Sequence, residues 1–328
     1  MAARIWISWN KQRRNIGLAD ALGAKLCMSE LDLPRWRRTP MQLLRSWRLI
    51  RAEKPAICFT MNPSIFSSWW LSLLARWYHF LLITDLHTVN VKTSGVRLII
   101  FNLFFRSGLK RSDIVIVTNS MYRSSILRLN PSVVCIPDPL PRIHYGLTHN
   151  THMGTDNKFS VLFISSFAED EPLSAVLALD SCLDEFTILV TGNWKLRFEN
   201  RPKTQNILFL GFLPDAEYDS LLCSVDSVMV LTFQEDCLCC GAYEAFSAGK
   251  PLVLSGTEAL RSFFGQAPVY TDNTSESILE SLLTIKREKD LRTQMIISGR
   301  AALQDSFCRG ISELESRISK IETRRAPR

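Results

Sequence analysis

Short apolar runs recur along the whole chain and alternate with segments of helical periodicity. Runs of four to six apolar residues flanked by polar or turn residues are typical of buried strands. Ten of these predicted strands lie at 3–8, 56–60, 80–84, 113–118, 132–137, 159–165, 186–192, 206–211, 226–231 and 251–255. The predicted helices between or after them lie at 18–26, 39–52, 64–78, 121–129, 171–183, 216–224, 241–248 and 257–264. Such alternation predicts parallel sheets covered by helices on both faces.

The alternation restarts after a proline-rich stretch, which predicts two domains. Residues 1–138 form the first domain, and residues 139–157, which begin inside the run Pro-Asp-Pro-Leu-Pro, form a linker. Residues 158–305 form the second domain. The charged segment 306–328 is a helical, basic tail that could pack back on the first domain. The predicted class is α/β, with two doubly wound, Rossmann-like domains whose carboxyl edges face a central cleft.

Charge divides the chain at nearly the same point. Residues 1–150 carry 21 Lys and Arg against 7 Asp and Glu, whereas residues 151–328 carry 18 against 25. The basic half predicts an anionic partner, for which phospholipid headgroups, a lipid diphosphate and nucleic acid are candidates, or else a merely solvated surface. No nucleic-acid-binding module is visible, so nucleic acid is not an expected partner.

Neither a membrane span nor an export signal is predicted. The most apolar run, 69–83, is interrupted by Arg76 and His79 and is 15 residues long, whereas a spanning helix needs roughly 20 residues. The first residues lack the apolar core of a secretory signal. Nine irregularly spaced cysteines indicate reduced thiols. We therefore expect a cytoplasmic protein, peripheral at the inner membrane face.

Candidate chemistry concentrates in residues 235–256, EDCLCCGAYEAFSAGKPLVLSG. A predicted strand ends in a loop that carries Asp236, and a short helix follows with Glu244 about one turn in. Backbone amides at the helix start, 241–243, suit a diphosphate. A carboxylate at Glu244 accepts hydrogen bonds from vicinal ribose hydroxyls, and one at Asp236 does so from a hexose.

This segment resembles the donor site of GT-B glycosyltransferases, in particular the E-x7-E pattern of family 4. The run EAFSAGKPLVLS matches that family's Glu-Ala-x-x-x-Gly-x-Pro-Val-Val, although Asp236, with Glu235 beside it, stands at the first acidic position. TDLHTVNV (84–91) and LFISSFAEDEPLSAVLAL (162–179) resemble the mannosyltransferases that act on dolichol-linked chitobiose diphosphate. Family 4 enzymes often carry Arg and Lys after the latter strand, and this chain has neither.

The resemblance implies a GT-B hexosyltransferase that uses a nucleoside diphosphate sugar. Because the chain has no Asp-x-Asp pair for a metal, we expect it to need no metal or other cofactor. Its acceptor is a glycan or a polyprenyl-diphosphate-linked glycan, reached at an anionic membrane surface. The implied donor contacts are Ser165, Ser166, Phe167, Gly192, Asn193, Phe212, Asp236, Gly241, Ala242, Tyr243 and Glu244. Backbone amides at 165–167, or Arg13 and Arg14 of the first domain, are the candidate substitutes for the missing cations. Asp236 is also a candidate catalytic residue.

The first domain supplies the other candidates. His87 follows a predicted strand and is a candidate general base or sugar contact, and Asp85 either orients it or is itself the base. Candidate acceptor or phosphate contacts follow the first strand at Trp9, Asn10, Arg13 and Arg14.

Other interpretations stay open. Cys237 and Cys240 have the spacing of zinc or redox thiols, but no second pair accompanies them. A nucleotide-sugar epimerase or a phosphorylase shares the architecture, and a non-catalytic partner subunit would bind sugar without transferring it. The sequence does not choose between retaining and inverting chemistry.

Overall fold

A computed structural model describes residues 3–10, 12–62, 65–86, 96–143 and 158–325. The chain forms two compact units, Met1–Pro139 with Ser306–Arg328, and Leu140–Asp305. The predicted linker, 139–157, lies mostly outside the described residues. The last helix, α11 (Lys289–Arg325), begins in the second unit and ends in the first.

The first unit is a six-stranded parallel sheet with helices on both faces. Its strand order is β2-β1-β3-β4-β5-β6, and every pairing is parallel. The elements are β1 (Arg4–Ser8), α1 (Arg13–Ala21), β2 (Lys25–Met28), α2 (Arg35–Glu53), β3 (Ile57–Asn62), α3 (Ile65–Tyr78), β4 (Leu81–Leu86), α4 (Val96–Arg111), β5 (Ile114–Val117), α5 (Ser120–Leu127) and β6 (Val133–Cys135).

The side chains of β1 are buried alternately on the two faces of this sheet. Trp6 packs with the buried Leu314 and Ile318 of α11 on one face of the sheet. Ile5 and Ile7 point to the opposite face, where they pack in the core that includes residues of α2 and α3. A strand buried on both faces reads as a continuous apolar run, which is the pattern seen in the sequence.

The second unit repeats this design. Its strand order is β12-β11-β10-β7-β8-β9, again wholly parallel. The elements are β7 (Phe159–Ile164), α6 (Leu173–Ala178), β8 (Phe186–Thr191), β9 (Ile207–Gly211), α7 (Asp215–Ser224), β10 (Ser227–Val230), α8 (Cys240–Ser247), β11 (Leu252–Ser255), α9 (Glu258–Phe264), β12 (Val269–Thr271) and α10 (Ser275–Arg287). The chain winds outward from β7 in both directions, which opens a crevice between β7 and β10 at their carboxyl ends.

All ten predicted strands are present, but the helix predicted over 18–26 is wrong in its second half. Helix α1 ends at Ala21, and Gly23, with φ +59°, turns the chain into β2. A left-handed residue ends a helix, and glycine adopts it without strain. Strand β2 lies at the sheet edge with exposed Lys25 and Met28. The sequence did not predict β2, β12 or α4.

Candidate functional site

The crevice of the second unit is bounded by two loops that are bonded to each other. The loop after β7 contributes Asp170, and the loop after β10 contributes Thr232 and Phe233. Thr232 Oγ1 donates a hydrogen bond to Asp170 Oδ2 at 2.5 Å, and Phe233 N donates to Asp170 O at 2.7 Å. The two loops at the switch in strand order therefore form one connected rim, where ligands of open α/β sheets bind.

A buried polar network fixes the start of the second loop. Thr232 N donates to Ser255 Oγ at 2.8 Å, and Ser255 Oγ donates to Asn273 Oδ1 at 2.6 Å. Asn273 Nδ2 completes the ring of hydrogen bonds by donating to Thr232 O at 3.0 Å. All three side chains are buried. Because each polar group has a partner, the network holds the carboxyl ends of β10 and β11 and the loop after β12 in register.

Helix α8 follows this loop and begins directly over the two central strands. A Cβ on Gly241 would lie 2.9 Å from Val230 Cγ2 and 3.2 Å from Ile164 Cδ1. Any side chain there would push the helix away from β7 and β10. The glycine thus permits the close seating of the helix start, whose first-turn amides and positive dipole end suit an anion.

Of the predicted amide set 241–243, Gly241 and Ala242 belong to the first turn of α8, and Tyr243 lies beyond it. Since α8 begins at Cys240, its first turn comprises the residues from Cys239 onward. Ala242 N already donates to Cys239 O at 3.1 Å. The side chain of Tyr243 is buried and packs on Phe264, with ring centroids 6.1 Å apart, so it serves the core.

Glu244 lies half-buried on α8 and is held by a tyrosine from the preceding helix. Tyr218 Oη, on α7, donates a hydrogen bond to Glu244 Oε2 at 2.5 Å. This bond orients the carboxylate, a group with two acceptor oxygens. Nothing in the sequence singled out Tyr218, because its contact with Glu244 joins two helices separated by a strand.

The neighbouring acids, Glu235 and Asp236, have different surroundings. Glu235 Oε2 accepts a hydrogen bond from Glu258 N at 2.8 Å, so Glu235 caps the start of α9. Asp236 is half-buried, and its Oδ1 accepts from Gln234 Nε2 at 3.0 Å. The sequence left open which acid reaches a sugar. Asp236 is the better candidate because Glu235 is used to stabilise a helix.

The loop after β7 differs from its predicted role. Glu171 Oε1 accepts from Ser166 N at 2.8 Å and from Ser166 Oγ at 2.6 Å. Its Oε2 accepts from Phe167 N at 3.2 Å and from Ser165 Oγ. Phe167 is buried with φ +58°. Two of the backbone amides expected to bind a diphosphate, those of Ser166 and Phe167, are thus occupied by an internal carboxylate, which argues against a phosphate role for them.

The loops after β8 and β9 form the other flank. A Cβ on Gly192, which has φ +105°, would lie 2.0 Å from Ser165 O, so only glycine fits. Gly192 N donates to Gly211 O at 2.9 Å. Asn193 is exposed, and Phe212 is 84% exposed. An aromatic ring so open to solvent at the end of a strand is free to stack on a planar ligand.

In the first unit, Arg14 forms a buried ion-pair cluster. Its Nε and Nη2 donate to the two carboxylate oxygens of Asp85, both at 2.8 Å, and Nη1 donates to Asp138 Oδ1 at 2.5 Å. Burial alone would lower the pKa of Arg14. The combined effect of Asp85 and Asp138 is larger and raises that pKa above its ordinary value. Arg14 and Asp85 are 5% and 1% exposed. Their predicted phosphate and base roles do not fit these positions.

The remaining first-unit candidates divide between core and loop. Trp9 is buried, and its Nε1 donates to Ser46 Oγ at 3.0 Å, so it belongs to the core and not to an acceptor surface. Asn10 is exposed beyond β1, and Arg13 opens α1. His87 lies outside the described residues, so its role as a base stays a prediction.

The cysteine motif shows no metal arrangement. Within the described ranges, no group of three or more His, Cys, Asp or Glu side chains has metal-binding geometry. A hydrogen bond with Cys237 and burial raise the pKa of Cys239, which disfavours the thiolate that metal binding or redox exchange needs. These residues are best described as thiols of the loop that leads into α8 and of the first residue of that helix.

Within the same ranges, no helix has both the length and the apolar character of a membrane span. No protein-family model and no curated protein sequence matches the chain.

Solved structures match the fold over nearly the whole chain. Sucrose-phosphate synthase from Thermosynechococcus elongatus has a TM-score of 0.70 and 14% identity, covering 98% of this chain and 99% of that one. Anabaena HepE in complex with UDP and glucose has a TM-score of 0.67 and 12% identity, covering 98% of this chain and 100% of that one. A putative UDP-N-acetylglucosamine 2-epimerase from Listeria monocytogenes has a TM-score of 0.65 and 12% identity, covering 97% of this chain and 98% of that one. With two parallel six-stranded sheets flanked by helices, the chain has the GT-B fold.

Proposed function

We propose that this protein is a glycosyltransferase that moves a hexose from a nucleoside diphosphate sugar to a glycan or lipid-linked glycan. We further propose that it works as a peripheral protein at the cytosolic membrane face. The resemblance of 235–256 to family 4 enzymes, and of 84–91 and 162–179 to chitobiose mannosyltransferases, supports these finer assignments. The similar HepE structures, which are complexes with UDP and glucose or with UDP-glucose, support a nucleotide-sugar donor.

One observation carries the proposal: two carboxylates, Asp236 and Glu244, flank the start of α8 at the β7/β10 crevice. In the proposed mode, Glu244, held by Tyr218, accepts hydrogen bonds from the ribose hydroxyls. The first turn of α8 meets the diphosphate, and Asp236 contacts the hexose.

Phe212 extends this arrangement to the base. Its ring is exposed on the loop after β9, and stacking on a nucleobase would bury apolar surface that now faces water. The helix start would meet the charge that develops on the departing diphosphate without a metal ion. His87 remains the proposed group that accepts the proton of the acceptor hydroxyl.

The direct test is transfer by purified full-length protein. UDP-, GDP- and dTDP-sugars are each incubated with and without a polyprenyl-diphosphate-linked chitobiose acceptor, and both nucleotide release and glycosylated lipid are measured. We expect acceptor-dependent release with one donor, and at least a tenfold loss in Glu244→Ala. The matched control is Glu280→Ala, an exposed carboxylate on α10. Binding of a donor, with transfer from none of the three donors, would instead indicate a non-catalytic partner subunit.

A nucleotide-sugar epimerase is the second candidate, favoured by the similarity to the UDP-N-acetylglucosamine 2-epimerase structure from Listeria monocytogenes. An epimerase converts its substrate without an acceptor. The acceptor-free arm therefore separates the two functions: appearance of an epimeric sugar in that arm, with no glycosylated lipid in the other, would replace the transferase proposal.

A further inference from the structure

The solvent side of α2 combines cations with large apolar side chains. From Arg35 to Ala52 the helix has six arginines and no acidic residue. Trp36 is 69% exposed, Leu44 44% and Met41 41%. We define the α2 face as six exposed residues, Trp36, Arg37, Met41, Leu44, Arg45 and Arg48. At 3.6 residues per turn, these positions fall within about half of the helix circumference.

The opposite side of α2 is fully used inside the first unit. Gln42 Nε2 donates to Ser29 O at 2.8 Å, and Ser46 Oγ accepts from Trp9 Nε1 at 3.0 Å. Ile50 is completely buried. Because this inner side fixes the helix, the outward placement of the α2 face is not an alternative packing of a loose helix. Its apolar side chains point to solvent while the core is already filled.

Aromatic and basic residues continue the surface at the end of α2. Trp77, at the end of α3, is 75% exposed. With Tyr78, Arg51 and Lys54 it lines an open depression of ≈ 460 Å³. Trp47 Nε1 donates to Tyr78 Oη at 3.0 Å, which ties the two helix ends together.

We propose that the α2 face docks the protein onto an anionic phospholipid bilayer. Arginines beside tryptophan and tyrosine match the boundary layer of a membrane, where guanidinium groups meet phosphates and the rings lie at headgroup depth. On the C-terminal side of the face the first acid, Glu53, is paired with Lys25 at 2.6 Å. On the N-terminal side the exposed acids Glu30 and Asp32 precede α2. This proposal rests on the membrane location in the proposed function and deepens it by naming the surface that binds. Vesicle binding needs neither nucleotide nor sugar, so its failure is distinguishable from a failure of sugar transfer.

The same residues fit other occupants less well. Nucleic acid would engage the arginines but leave Trp36, Met41 and Leu44 in water, since phosphate backbones offer no apolar surface at that spacing. A second copy of the chain would bring two sets of arginines together. A bilayer accepts both kinds of side chain at once.

Vesicle flotation of the full-length protein tests the proposal. The vesicles are pure phosphatidylcholine or contain 30% phosphatidylglycerol. The charge variant is Arg37→Gln with Arg45→Gln and Arg48→Gln, and the apolar variant is Trp36→Ser with Met41→Ser and Leu44→Ser. The control removes three cations elsewhere, by Arg287→Gln with Lys289→Gln and Arg309→Gln. Thermal unfolding verifies that every variant folds.

We expect binding to anionic vesicles that is at least tenfold stronger than to neutral ones and weakens with added salt. Both α2-face variants should bind at least tenfold more weakly, and the control variant should bind as wild type does. Equal binding of wild type to both vesicles would overturn the proposal, as would full binding by either folded α2-face variant. Variant-sensitive binding to duplex DNA or an acidic protein, without vesicle binding, would overturn it as well.

Discussion

The buried cluster around Arg14 leads to a quantitative prediction about stability. Replacing Arg14 with Met removes both bonds to Asp85, whose carboxylate is 1% exposed and would remain in the core without that cation. Removing one partner of a buried ion pair costs about 3–5 kcal/mol. For a unit of this size, such a loss lowers the melting temperature by roughly 10 °C. Asp138 is a second carboxylate that also loses its bond to Arg14, so it cannot compensate Asp85.

Asp85→Asn should cost less than Arg14→Met. It removes the negative charge but keeps the shape, and Arg14 retains Asp138 and the carbonyl of Ile136. We expect a loss of about 1–3 kcal/mol. The double variant Arg14→Met with Asp85→Asn should recover part of the larger loss because no unpaired buried charge remains.

Urea unfolding followed by tryptophan fluorescence provides the assay. Seven of the eight tryptophans lie in the first unit, so the signal reports mainly on the unit that holds the cluster. Arg123→Met, at an exposed position on α5, is the matched control, and its effect should stay within about 0.5 kcal/mol. If Arg14→Met cost less than about 1 kcal/mol and weakened nucleotide-sugar binding, the buried-pair interpretation would fail and the sequence-based phosphate role would return.

Three further predictions concern the second unit. Tyr218→Phe should weaken donor binding about three- to tenfold in equilibrium titration, since Glu244 loses the bond that orients it; unchanged affinity would argue against that positioning role. Glu171→Ala should lower the free energy of unfolding by about 1–3 kcal/mol in thermal denaturation, with exposed Glu199→Ala as control, because the loop after β7 loses its acceptor. Prior treatment with EDTA should leave transfer unchanged, since the sequence has no Asp-x-Asp pair; loss restored by Mn²⁺ would contradict this.

Local pattern was enough for most of the fold. The apolar runs that became β1 and β3–β11 are continuous because these strands are buried on both faces. Strand β2 was not predicted because it is a four-residue edge strand with exposed ends. Strand β12 was not predicted because only one of its three residues is fully buried. Helix α4 was not predicted because its run, VRLIIFNLFF, has too many consecutive apolar residues to show a 3.6-residue period.

The candidate site was predictable only where its residues are close in sequence. Asp236 and Glu244 belong to one loop and the helix that follows it. The ion pair of Arg14 with Asp85 joins residues 71 positions apart, so its existence depends on strand order rather than on local pattern. The role of Glu171 depends on the turn of its own loop, including the left-handed backbone at Phe167.

Binding of the activated sugar at the start of α8 is the central claim, and isothermal titration calorimetry tests it most directly. The nucleotide sugar that binds wild type most tightly is titrated into wild type, Glu244→Ala and the control Glu280→Ala. Loss of one or two hydrogen bonds to a carboxylate should raise the dissociation constant of Glu244→Ala roughly 10- to 100-fold, and the control should match wild type. An unchanged dissociation constant in folded Glu244→Ala would contradict the account.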